Sequence, residues 1–457
     1  MTPKTDLDLQ SIRTEGDVNL SPHRESWQAG HLSAETKRLL AEDAECFLHQ
    51  AMSTPCLNAL RGANGAWIED VEGRRYLDFH GNNVHQIGFG HPRVIEAIKS
   101  QFDQLPFSTR RYTNEPSVRF AQKLISFAPG DLSRVLLAPG GALAIGIALK
   151  LARAATGRFK TISLWDSFHG ASLDAISVGG ESAFRKNAGP LLPGCEHAPP
   201  PDPSHCPFRC TTTCNLACAD YIEYMLEREG DVAAVVAETV RNVPVIPPPD
   251  YWKRIRAACD KHNALLILDE IPIGLGRTGR FFAFQHYDII PDIVVLGKGL
   301  GGGAFPLAAV IAREHLNVVG DRSLGHFTHE KNPVACAAGL ATLEVIEEQN
   351  LVERAANLGA KTVEDLRRRL SSMPLVREVR GLGLLIGVEI AGVNGNAADV
   401  AERIMYAALS RGLNFKVSKS TVLTFAPPLN VTEAELDQAW TILEAAIREI
   451  SGDQHIK

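Results

Sequence analysis

The sequence Leu265-Leu266-Ile267-Leu268-Asp269-Glu270-Ile271-Pro272-Ile273-Gly274-Leu275-Gly276-Arg277-Thr278-Gly279 is followed, after an aromatic passage, by Asp292-Ile293-Val294-Val295-Leu296-Gly297-Lys298-Gly299-Leu300-Gly301-Gly302-Gly303-Ala304-Phe305-Pro306. Each half opens on a short apolar, β-branched run and ends in polar residues. Runs of this kind read as buried strands of a parallel sheet, covered on both faces. Their carboxyl ends deliver two charged side chains, Asp269 and Lys298.

A lysine between Gly297 and Gly299, just past a buried strand, is placed to lose its hydration and to be approached closely by a cofactor. A carboxylate at the end of the neighbouring strand suits the ring nitrogen of pyridoxal phosphate, because an ion pair there keeps the ring protonated and able to accept electrons. Two other readings compete. Charged residues at strand ends are common in any α/β protein, and Gly274-x-Gly276-x-x-Gly279 matches the dinucleotide-binding pattern. Arg277, Thr278 and the aromatics Phe281, Phe282 and Phe284 do not open the helix that this pattern requires.

The chain has 457 residues, enough for one large domain with a smaller one attached. Its 47 basic and 53 acidic residues leave a net charge of −6, which points to neither a nucleic-acid nor a membrane surface. No apolar run reaches the length of a membrane span, and residues 1–25 lack the apolar centre of a signal peptide, so the cytoplasm is the expected compartment. Nine cysteines without a signal argue for reduced thiols. Cys206, Cys210, Cys214 and Cys218 recur every fourth residue beside His205. They read either as an insertion packed by thiols, the reading adopted, or as a loop around a metal.

Along the chain, Ser33 is placed to cap a helix over 34–48, and Trp67 to Phe79 reads as two short strands about a turn at Glu72-Gly73. Helices are expected from Pro92 and from Glu115, with Arg110, Arg111 and Tyr112 between them. A strand at 135–138 runs through Pro139-Gly140-Gly141 into a helix from Ala142, whose N-terminus suits a phosphate. A strand at 161–165 leads to Phe168-His169-Gly170, and one at 232–237 ends in Glu238. Alternation of this kind implies an α/β fold with a doubly wound, mostly parallel sheet whose functional groups gather at one edge. From Asn332 onward two long helices and a strand pair at 379–388 imply a smaller α+β domain. The expected division is an arm and hairpin over 1–80 belonging to the small domain, a large cofactor-binding domain over 81–331, and a small domain over 332–457.

Taken in order, these pieces resemble the class III pyridoxal-phosphate aminotransferase family of fold type I, over roughly residues 35–450. The matching motifs are Trp67-Ile68-Glu69-Asp70 with Gly73 and Tyr76-Leu77-Asp78-Phe79, then Gly90-His91-Pro92, Ala148-Leu149-Lys150-Leu151-Ala152-Arg153, Phe168-His169-Gly170, Asp269-Glu270 with Gly276-Arg277-Thr278-Gly279, Lys298-Gly299, and Thr328 with Asn332-Pro333. The resemblance implies that Lys298 holds the aldehyde of pyridoxal 5'-phosphate and then moves protons at the substrate carbon, while Asp269 holds the ring nitrogen. It implies that Phe168, next to His169, stacks on the ring and that Glu238 lies near the lysine. The Gly140, Gly141 and Ala142 amides, with Thr328 from a partner copy, would cradle the phosphate, which makes a homodimer necessary. Phe168 and Glu238 also read as a core residue and a cap.

Three departures shape the expected activity. The phosphate loop reads Gly140-Gly141-Ala142-Leu143-Ala144, without the hydroxyl and carboxylate usual there. Pro272 stands where a glutamine commonly meets the cofactor's ring oxygen. Thr424, in Thr424-Phe425-Ala426-Pro427-Pro428-Leu429, replaces an arginine that commonly holds a substrate carboxylate. Arg110 and Arg111 are left as candidate anion clamps, or as solvated surface charges. Some members of the family eliminate a group instead of transaminating. The stretches Asn82-Asn83-Val84-His85-Gln86, Trp165-Asp166-Ser167-Phe168-His169-Gly170-Ala171-Ser172-Leu173-Asp174 and Thr328-His329-Glu330-Lys331-Asn332-Pro333 resemble that branch. The expectation is release of ammonia from a small hydroxylated amino compound, an aminophosphonate, with an ω-amino transaminase as the alternative and a cofactor-binding pseudoenzyme as a remote third.

Overall fold

The computed structural model describes residues 22–48, 59–210, 214–392 and 395–454. Its centre is a seven-stranded sheet, in spatial order Leu132–Ala138, Ala308–Arg313, Ile293–Leu296, Leu265–Asp269, Val232–Glu238, Lys160–Leu164 and Cys195–Ala198. Six strands run in one direction, and Ala308–Arg313 runs against both of its neighbours. Every residue of Val232–Glu238 and Ile293–Leu296, the strands on either side of the central Leu265–Asp269, is buried, as expected for strands covered on both faces. The parallel strands end at one edge, where Glu238 sits in register with Asp269.

The helix expected after Gly140-Gly141 spans Gly141–Thr156, and its core-facing residues run from Ala144 to Ala152 with little interruption. Further on, Pro333–Glu348 is capped by Asn332, whose side chain accepts from the Ala335 amide. Leu351–Leu370 buries Leu351, Ala355, Leu358, Thr362, Leu366 and Leu370 along one stripe and keeps its charges outside. Ser33 caps Ala34–Cys46 by accepting from the Thr36 amide, so that helix stops two residues short of the expected end. Among the described residues no helix is long and apolar enough to cross a membrane.

Two smaller sheets bring distant parts of the chain together. Trp67–Asp70 and Arg75–Asp78 form the expected hairpin, and Leu413–Asn414 joins it in parallel, with Asn414 opposite Asp78. Val376–Leu382, Leu385–Ile390, Val422–Phe425 and Lys416–Ser418 make an antiparallel sheet in which Lys416 lies opposite Thr424.

The glycine pattern at 274–279 builds a clamp. No helix follows it; the next element is a short 3-10 turn, Ala283–Tyr287. Gly276 and Gly279 take positive φ, and the Arg277 side chain turns inward and is fully buried. Its guanidinium donates to the Leu384 carbonyl at 3.2 Å, to the Pro427 carbonyl and to the Gln86 side chain. Burial pushes its pKa down to about 9. Gly383 completes the contact: a Cβ there would lie 2.5 Å from the Arg277 carbonyl oxygen, and the residue has φ of 57°.

The four cysteines spaced by four do not share one helical face. Cys218 alone of them lies within the helix Ala217–Glu229. Cys206 follows a 3-10 turn, and Cys214 is exposed. Among the described residues no group of three or more His, Cys, Asp or Glu is arranged to hold a metal.

Two outcomes are expected. Arg277→Ala leaves three buried acceptors without their donor and should lower the unfolding free energy by roughly 3 kcal/mol or more; an unchanged urea midpoint would contradict the clamp. The second concerns His80, beside the Asp78–Asn414 hydrogen bond of 2.8 Å. Burial, then the charges of Lys416 and Lys298, hold its imidazole at about 4, while Asp78 opposes them. The unfolded chain protonates this residue near pH ~6.5, so the stability present above that pH is lost as pH falls towards 4. Thermal melts at pH 7 and pH 5 should show a smaller loss in His80→Gln than in the parent chain, and parallel losses would refute a neutral His80.

Candidate active site

Four polar groups reach the carboxyl edge of the sheet because four parallel strands end there. Asp269 closes one strand and Glu238 its neighbour, His169 follows Lys160–Leu164 by five residues, and Lys298 follows Ile293–Leu296 by two. Asp269 is 1% exposed. Both of its carboxylate oxygens are engaged: Oδ2 by His169 Nδ1 at 2.7 Å, and Oδ1 by the Ile271 amide at 2.9 Å. A buried carboxylate needs such partners, and the aspartate in turn fixes the imidazole's orientation.

Phe168 is half-buried and packs its ring on Phe184, centroids 4.6 Å apart. Its amide donates to Glu238 Oε2 at 3.3 Å. That carboxylate also receives Arg241 Nε at 3.1 Å. Arg241 donates to the Asp166 carbonyl as well and lies 3.9 Å from the Glu181 carboxylate. All three charged side chains are buried, so one guanidinium between two carboxylates anchors the loop that carries Phe168 and His169.

Lys298 stands in the left-handed region, φ 48°, at the start of a tight turn, Lys298–Gly301. Gly299 is required there. A Cβ at 299 would come within 2.3 Å of the Gln86 side chain, which itself donates to the Gly274 carbonyl at 3.1 Å. Across the cavity the helix Gly141–Thr156 begins with no side-chain cap at Gly140. Its first turn therefore presents backbone amides and the positive end of the helix dipole to whatever lies before it. A Cβ at Gly141 would press on Ile271 at 2.9 Å, and one at Gly170 would meet the Ala142 methyl at 2.6 Å.

These groups enclose a cavity of about 200 Å³, lined among others by Gly141, Ala142, Phe168, His169, Asp269 and Lys298. Glu238, Asn242, Ile271 and Pro272 complete its wall. Gly141 and Lys298 also line an adjoining space of about 310 Å³ together with Gly140, Val84 and Pro306. The residues expected from sequence thus converge, with three exceptions. Arg110 faces a different cavity, hydrogen-bonded to Ser323 and 3.8 Å from Glu330, and Arg111 is exposed. Thr328 is exposed and lines neither space beside Lys298. Sequence reasoning missed Asn242, Arg241 and Gln86. The polar pair Arg241-Asn242, three and four residues past a strand that ends in Glu238, was the available signal.

Residues 49–447 match the model of the family Aminotransferase class-III. The chain is 48% identical, over 98% of its own length and 97% of the relative's, to the (R)-1-hydroxy-2-aminoethylphosphonate ammonia-lyase of Vibrio splendidus. It is 36% identical to the ornithine aminotransferase of Exiguobacterium sp., covering 84% of this chain and 92% of that one. Among solved structures, the ornithine aminotransferase of Toxoplasma gondii, described with partial occupancy of PLP at its active site, superposes with a TM-score of 0.82 at 28% identity, over 95% of this chain and all of that one. The motifs, the parallel sheet with a cavity at its carboxyl edge and these likenesses agree: the chain belongs to the class III aminotransferase family, with the fold type I architecture.

Proposed function

We propose that the chain is a pyridoxal 5'-phosphate-dependent lyase that releases ammonia from (R)-1-hydroxy-2-aminoethylphosphonate. The observation that carries this reading is the nearly end-to-end likeness to the Vibrio splendidus ammonia-lyase. Thr424 agrees with it. The residue is buried, its hydroxyl donates to Ser418 Oγ at 3.0 Å, and it offers no cation to the carboxylate of an amino-acid donor.

The cavity fits the cofactor on its own terms. An uncapped helix start faces it, a buried carboxylate lies in one wall and a lysine in another, and the buried Asn242 Oδ1 there has no partner. When bound, pyridoxal 5'-phosphate supplies an electron sink for the carbon that bears the amine. Asp269, oriented by His169, keeps the ring nitrogen protonated. The amides of Gly141 and Ala142 hold the phosphate. Lys298 Nζ would take the proton from the carbon next to nitrogen and pass it to the hydroxyl of the neighbouring carbon, which leaves as water with the bonding electrons. The enamine so released takes up water and breaks into phosphonoacetaldehyde and ammonia, so no keto acid is consumed.

Thr328, exposed on its own chain, would complete the phosphate site of a second copy, and Arg110, bonded to Ser323 nearby, would reach the site from the same side. This makes the active species a homodimer. The alternative, an ω-amino transaminase, is favoured by the likeness to the ornithine aminotransferase and differs in one requirement, a keto-acid acceptor.

Incubation of the cofactor-loaded protein with the hydroxy-aminophosphonate alone should release ammonia and phosphonoacetaldehyde in equal amounts. Turnover only after addition of pyruvate or 2-oxoglutarate would establish the transaminase instead. Lys298→Ala should reduce either activity by roughly 10⁴-fold or more while leaving the protein folded; a variant with full turnover would remove the lysine from the chemistry.

A further inference from the structure

Pyridoxal 5'-phosphate has four polar positions around a flat ring: the ring nitrogen, the aldehyde, the phosphate and a hydroxyl beside the aldehyde. On the reading proposed above, on which this inference rests, Asp269, Lys298 and the Gly141–Ala142 amides take the first three. The ring hydroxyl is left, and once ionised it requires a donor.

The cavity wall offers few donors. Asp269 and Glu238 accept only. His169 is committed through Nδ1 to Asp269, on the ring-nitrogen side of the cavity. Phe168, Ile271 and Pro272 carry no side-chain donor. Asn242 remains. It lines the same cavity, is 6% exposed, and its buried Oδ1 has no hydrogen-bond partner. A half-turn about the last side-chain bond exchanges Oδ1 for Nδ2, so the orphaned position can present an N–H. The backbone beneath it is fixed. Arg241, the preceding residue, donates its amide to the Val245 carbonyl at 3.1 Å, and its guanidinium is tied to Glu238 and the Asp166 carbonyl.

We propose that Asn242 is a cofactor-binding residue whose side-chain amide donates to the ring oxygen of pyridoxal 5'-phosphate and holds that oxygen ionised. The donor that Pro272 cannot supply then comes from the neighbouring strand's loop. It also acts on reactivity, because a donor at this oxygen lowers the proton affinity of the conjugated system that the substrate amine joins.

The test is a pH titration of the visible absorption of the cofactor-loaded protein, without substrate, for the parent chain, Asn242→Leu and the isosteric Asn242→Asp, with circular dichroism to verify folding. Both variants should titrate about one pH unit or more higher than the parent and bind the cofactor roughly tenfold more weakly. Unchanged midpoints and affinities in both folded variants would overturn the assignment. So would an effect confined to the substrate's KM, which would give the amide to the substrate. A parent chain that takes up no cofactor would instead bring down the proposed function itself, an outcome seen before any variant is compared.

Discussion

Asp269 sets the terms for the rest of the molecule. A carboxylate buried at the end of a central strand is tolerated only where donors already wait for it, and here they are an imidazole and a backbone amide. The imidazole arrives from a different strand, two places across the sheet. The contact therefore depends on the register that sets Glu238 beside Asp269. A slip of one residue in either strand would turn that strand's carboxylate to the opposite face and strand it in the apolar layer. Register, burial and function are a single constraint at this edge.

Around that constraint the chain separates charges that hold structure from charges that face the cavity. Arg277 lies under the edge and joins the N-terminal segment at Gln86 to carbonyls at Leu384 and Pro427, far along the chain. Its five donors in a fixed planar fork hold three acceptors at set directions, where a lysine's ammonium would have no donor to spare and no fixed direction. Glu270, next to Asp269, faces away from the cavity: it accepts from Thr239 and from the Ala283 and Phe284 amides, and burial raises its pKa to about 7. Two adjacent carboxylates thus have unlike tasks, one in the cavity wall and one pinning the loop after it.

Much of this was legible in the sequence because strand ends announce themselves. An apolar run that stops at Asp269, Glu238 or just before Lys298 states both that the side chain is at an edge and which edge it is. Strand direction is not stated in this way. Ala308–Arg313 has the same apolar character as its parallel neighbours, and only the short connection through the Gly301–Pro306 turn forces it to run back. Cys195–Ala198 is too short and too polar to read as a strand by itself. The glycine pattern at 274–279 misleads for a physical reason: glycines that let a backbone approach a phosphate equally let two pieces of backbone approach each other, as Arg277 and Gly383 do. Asn242 lies outside any regular element, and its importance appears only when an unpartnered atom is found inside a wall. Thr328, Arg110 and Arg111 are of another kind, since none of them lines the cavity of the chain that carries it.

The choice between elimination and amino transfer turns on a few neutral positions. Amino transfer must bind and release two different amino compounds in turn, so a cation that both of them can use is worth its burial. Elimination from one substrate makes no such demand, and a cation kept for an α-carboxylate would then be a buried charge without a partner. Thr424 carries no charge and satisfies its hydroxyl locally on Ser418, opposite the buried Lys416. The edge that carries Asp269 and Lys298 needs no change for either reaction, because proton removal at the carbon next to nitrogen is common to both. What differs is whether the neighbouring carbon carries a group that can leave. The substrate therefore decides the branch, and the two reactions part at the neighbouring carbon and not at this edge.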